Sequence, residues 1–85
     1  MDGAATGERN PELRHVEELI EDGGEITVGP IGAVPCGASA ADQHNAIAML
    51  VRQDGETLNA LLKRLDKAIG RFYDHGETID EVNGD

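Results

Sequence analysis

The chain has 85 residues, and its 17 acidic against 7 basic side chains give a net charge of -10 at neutral pH. This length allows one small domain, and the charge disfavours non-specific binding to nucleic acid. The single cysteine, Cys36, excludes a disulfide within the chain, and three scattered histidines make no zinc site. We therefore expect no cofactor and no metal, and a core this small favours oligomerisation.

Nothing in the sequence predicts a membrane segment or a secretory signal. The longest aliphatic run, residues 46–51, is far shorter than the ~20 residues that cross a bilayer. The first three residues include an acid where a signal peptide carries bases. We expect a cytoplasmic protein with no membrane partner.

Composition divides the chain into three regions. Residues 1–10 are small and polar and are predicted to be disordered. Residues 11–73 are predicted to form a single small domain. Residues 74–85 hold five acids and no base and are predicted to be a flexible acidic tail.

The first predicted element is a helix that begins at Asn10-Pro11, where asparagine caps the helix and proline takes its first position. Gly23-Gly24 ends it. The residues of its apolar face recur every three to four positions: Leu13, Val16, Leu19 and Ile20.

A short strand is predicted next. Residues 25–28 alternate polar and apolar side chains, which is typical of a half-buried strand. Residues 31–38 are apolar but contain two glycines and a proline, so they indicate an edge strand or an ordered apolar loop.

A second helix is predicted to begin at Ser39 and to continue to residue 51, and a third to follow from Glu56 to about residue 73. Asp54-Gly55 between them favours a break, because a carboxylate and a glycine are unfavourable inside a helix. The apolar periodicity also permits one continuous, kinked helix over residues 40–73. The predicted fold class is therefore mainly α, with a helix-turn-helix pair, a short N-terminal strand and an additional N-terminal helix.

The pair resembles the two helices of the ribbon-helix-helix family over residues 40–69. Apolar residues precede a glycine turn, which is followed by two small polar residues, an aliphatic pair and a base: Gly55-x-Thr57-x-Asn59-x-Leu61-Leu62-Lys63. The resemblance implies an intertwined homodimer that binds DNA as a transcriptional regulator or antitoxin. It also implies that Thr57 and Asn59 contact backbone phosphate at the start of the second helix of the pair, with Lys63 as the matching base.

An alternative function follows from the net charge of -10 and the apolar segment 31–38. The acidic ends of the chain are typical of a non-enzymatic interaction or inhibitor protein that binds a basic protein surface without any DNA role. The basic residues of the last helix then belong to a solvated face: Lys63, Arg64, Lys67 and Arg71.

No catalytic motif is present, so we expect the protein not to be an enzyme. Cys36 has no neighbouring base in the sequence and is predicted to pack as a small hydrophobe. His15 and His75 are predicted at the surface, and His44 is predicted half-buried on an apolar helix face.

Overall fold

The structure of the protein, a computed structural model, describes residues 11–83. The predicted disorder of residues 1–10 and the predicted cap at Asn10 lie outside the described residues. After a short 3-10 turn, Pro11–Leu13, the described chain contains two helices and four strands, in the order α1 (Arg14–Glu21), β1 (Glu25–Ile31), β2 (Val34–Ala41), β3 (Ala46–Val51), α2 (Leu58–His75) and β4 (Ile79–Asp80).

The four strands form one mixed sheet in the order β1-β2-β3-β4. β1 pairs antiparallel with β2, and β2 pairs antiparallel with β3, whereas β4 lies parallel to β3. Ala38 of β2 faces Leu50 of β3, and Ala40 faces Ala48, and all four side chains are buried. Because cross-strand partners share a face, these residues define the side of the sheet on which α2 packs across β2 and β3.

The fold is therefore α+β, and the prediction of a mainly α protein is wrong. Residues 46–51 form a strand and not a helix, so the predicted helix-turn-helix pair does not form. A short apolar run fits both the helical and the strand periodicity, and the turn before it decides which of the two elements forms. Asp42 accepts the backbone N–H groups of His44 and Asn45 at 2.8 and 2.6 Å, which reverses the chain between β2 and β3.

The core closes within one chain. Its largest fully buried side chains come from β3 and α2: Ile47, Leu50, Leu61, Leu65 and Ile69. The apolar side chains of β3 and α2 thus cover one another within a single chain. A homodimer stays a prediction.

Several local predictions are confirmed. The N-terminal helix forms and ends before Gly23, which adopts a positive φ of 93°. The strand over residues 25–28 forms and continues to Ile31. Of the segment 31–38, predicted as an edge strand or loop, Ile31 ends β1 and residues 34–38 belong to β2, which is an inner strand of the sheet.

The described chain after α2 contains one short strand. Gly76 ends α2 in the left-handed conformation. β4 then lies inside the segment predicted to be a flexible tail and pairs with Ala48 and Met49.

Within residues 11–83, neither helix has the length and apolar content needed to cross a bilayer.

Candidate interaction surface

The three predicted DNA-binding residues lie together in the first two turns of α2 or immediately before it. Thr57 is the N-cap, and its Oγ1 accepts the N–H of Ala60 at 3.0 Å. Asn59 is exposed. Lys63, one turn after Asn59, places its Nζ 3.2 Å from Oε1 of Glu12. Thr57 and Lys63 thus already have partners within the fold, while Asn59 faces solvent.

Arg64 joins the sheet, the β3–α2 turn and the C-terminal segment. Its Nε and Nη2 donate to the two carboxylate oxygens of Glu56 at 2.7 and 3.0 Å. Its Nη1 donates to Glu81 at 3.0 Å, and its Nη2 also donates to the carbonyl of Val51 at 2.9 Å. The other Glu81 oxygen accepts the N–H of Val51 at 2.9 Å. Arg64 is therefore a structural residue, with its charge held between two carboxylates.

This arrangement has an electrostatic consequence for Glu56. The guanidinium of Arg64, and then the backbone N–H of Gln53, lower the pKa of Glu56 from 4.5 to about 2. The two carboxylates raise the pKa of Arg64 above its ordinary value, with Glu56 the larger cause. Both groups stay charged throughout the neutral range.

The other predicted basic residues of α2 add little free positive charge. Arg71 lies 3.3 Å from Glu77 in an exposed pair. Lys67 is exposed and lines a groove with Glu12, Lys63 and Asp66. The basic stretch read from the sequence is thus mostly compensated by acids from other parts of the fold.

A pair that the sequence did not predict connects the two helices. Asp66, only 6% exposed, accepts the N–H of Val16 at 2.9 Å and contacts Nδ1 of His15 at 3.0 Å. Because Leu13, the N-cap of α1, makes no side-chain cap, Asp66 satisfies one of the free N–H groups of α1 from another helix. Gly70, one turn along α2, leaves room for the ring of His15. His15, predicted at the surface, is thus partly covered, while His44, predicted half-buried, is exposed in the β2–β3 turn.

The surface at the C-terminal end of α2 is acidic and aromatic. Tyr73 has 55% of its area exposed and lies between two clefts of about 270 and 200 Å³. Glu18, Asp22 and Asp74 line the first cleft, and Asp22 and Asp42 line the second. We call these five residues the acidic–aromatic surface. The loops and helices that supply them are far apart in sequence, so no local motif predicts it.

The charges of this surface affect one another. Partial burial raises the pKa of the Tyr73 hydroxyl, and the negative charges of Asp42 and Asp22 raise it further. The backbone N–H groups of His44 and Asn45 lower the pKa of Asp42, so its carboxylate stays ionised at neutral pH. The surface is therefore a site of negative potential around an exposed aromatic ring.

A further cleft contains the cysteine. A cleft of about 500 Å³ lies between β2 and the turn that precedes α2, and Cys36 and Thr57 are among its lining residues. Cys36 is partly buried there. Among residues 11–83, no three His, Cys, Asp or Glu side chains lie close enough together to hold a metal ion.

Comparisons with protein-family models, curated proteins and solved structures find no match for this chain. The resemblance to the ribbon-helix-helix family is therefore neither supported nor refuted by relatives.

Proposed function

We propose that the protein is a non-enzymatic interaction protein that binds a basic surface on another protein. The observation that carries this proposal is the distribution of charge. Lys63, Arg64 and Arg71 form ion pairs with acids of the same chain. In contrast, Glu18 and Asp22 are exposed and form no ion pair with another residue of the described chain. The face offered to a partner is consequently acidic.

The same arrangement supports this function over DNA binding. A protein binds duplex DNA mainly by neutralising phosphates with lysine and arginine. Here the predicted phosphate-binding residue Lys63 is already close to Glu12, and the hydroxyl of Thr57 already caps α2. The role of regulator or antitoxin stays a prediction without a supporting contact. A cytoplasmic location and a homodimer are part of this proposal.

The test compares two polyelectrolytes of opposite sign. A fluorescent Arg-Gly repeat peptide and a fluorescent mixed-sequence duplex DNA are each titrated with the protein at low and moderate salt. We expect the peptide to bind, with affinity falling as salt rises, and the DNA not to bind. A matched peptide with glutamine in place of arginine is the control. Binding to DNA but not to the basic peptide would reject the proposal and favour the regulator.

A further inference from the structure

The acidic–aromatic surface surrounds the ring of Tyr73, which is exposed and does not belong to the core. Phe72, the neighbour of Tyr73, packs against the core, and the two rings meet edge to face with centroids 5.3 Å apart at 83°. This contact holds the Tyr73 ring at the last turn of α2. Leu19 and Ile69, both fully buried, form the apolar floor beside it.

The carboxylates around the ring come from three directions. Glu18 and Asp22 lie on α1 and at its end, Asp74 follows Tyr73 on α2, and Asp42 lies in the β2–β3 turn. The turn fixes Asp42, because its Oδ1 accepts two backbone N–H groups. A cation in either cleft would therefore meet carboxylates and the ring of Tyr73 together.

Carboxylates beside an aromatic ring suit an organic cation. Carboxylates that coordinate a metal ion must all approach one point at about 2.0 to 2.6 Å. No group of three such ligands exists in the described part of the chain, so the acids here are spread too widely for a metal. A guanidinium is planar, reaches carboxylates with five N–H donors in a fixed fork, and stacks on aromatic faces.

We propose that the acidic–aromatic surface is the docking site for an arginine-bearing segment of a basic partner protein, with a guanidinium against the Tyr73 ring. This inference rests on the proposed function, because it depends on the same charge complementarity between the protein and a basic partner. It adds where the partner docks and which of its residues binds there. Two clefts that share Tyr73, Leu19 and Asp22 suit a segment that carries more than one cation.

The experiment uses the full chain and the Arg-Gly repeat peptide in anisotropy titrations. Tyr73→Leu removes the aromatic face and should weaken binding about fivefold, in line with an exposed cation–π contact. Tyr73→Phe keeps the ring and should bind within about twofold of the original protein. A Lys-Gly repeat peptide should bind more weakly than the arginine peptide, because an ammonium cannot form the planar fork.

A charge-matched pair of variants separates this surface from the net charge. Asp22→Asn and Asp54→Asn each remove one negative charge, but Asp54 lies before the start of α2 at Leu58, and the helix from Leu58 to Tyr73 is about 22 Å long. We expect Asp22→Asn to weaken binding several times more than Asp54→Asn. Equal urea midpoints for the variants serve as the folding control.

The two proposals fail in different ways. If the original protein binds neither basic peptide, the proposed function is wrong. If it binds, but Tyr73→Leu and Asp22→Asn bind as tightly as the original, the basic partner docks elsewhere and this inference is overturned. Equal affinity for the lysine and arginine peptides would overturn the assignment of arginine.

Discussion

Replacing Gly70 with alanine tests whether the ring of His15 holds α1 against α2. A methyl group at position 70 would lie 2.9 Å from Cε1 of His15 and 3.2 Å from each of its ring nitrogens. The ring would have to move, and its 3.0 Å contact with the buried carboxylate of Asp66 would be lost. The substitution therefore makes two opposite contributions to the free energy of unfolding, and these can be measured separately.

The first term favours alanine, which is about 1 kcal/mol better than glycine inside a helix. The second opposes it, since a lost hydrogen bond costs about 0.5 to 1.5 kcal/mol, and more when a partner is charged. We therefore expect Gly70→Ala to leave the free energy of unfolding unchanged or lower. In a His15→Ala background the ring is absent, and the same substitution should stabilise by about 1 kcal/mol.

The assay is urea unfolding of the original protein, the two single variants and the double variant at one salt concentration. Their free energies of unfolding give the interaction energy between positions 15 and 70, which we expect to be about 1 kcal/mol or more. Stabilisation of about 1 kcal/mol by Gly70→Ala in both backgrounds would refute the role given to His15.

Two further predictions concern the Arg64 contacts. Arg64→Ala should lower the free energy of unfolding by roughly 2 to 3 kcal/mol, because its carboxylate and carbonyl partners lose charged hydrogen bonds. Arg71 is exposed, so Arg71→Ala should lower the free energy of unfolding, measured by the same urea titration, by less than about 0.5 kcal/mol. Because the folded-state pKa of Glu56 is lowered to about 2 from 4.5, its contribution to stability is present above pH 4.5 and lost as the pH falls towards 2. In acid unfolding followed by circular dichroism, Glu56→Gln should make the free energy of unfolding depend less steeply on pH in this window. An unchanged pH dependence would contradict the Arg64–Glu56 pairing.

The sequence predicted the elements that local rules determine. Helix α1 and strand β1 follow from their apolar periods. Strand β3 was misread because Ala46 to Val51 is apolar throughout, and such a run does not distinguish a helix from a buried strand.

The functional geometry could not be read from local patterns, because its partners are distant in sequence. Asp66 looks like one more exposed acid of α2, yet its hydrogen-bond partner Val16 is 50 residues away. Arg64 looks like part of a basic stripe, yet Glu81, 17 residues later, takes up its charge. The acidic–aromatic surface needs the β2–β3 turn beside both helices, and the predicted helix at residues 39–51 concealed that turn.

We propose that a basic partner binds at the acidic–aromatic surface and that the start of α2 does not bind DNA. Backbone amide chemical shifts of ¹⁵N-labelled protein, recorded during titration with the Arg-Gly peptide and separately with duplex DNA, test it most directly. We predict peptide-induced shifts around Asp22, Asp42 and Tyr73, and none with DNA. DNA-induced shifts at Thr57, Asn59 and Lys63, with no response to the peptide, would contradict the account.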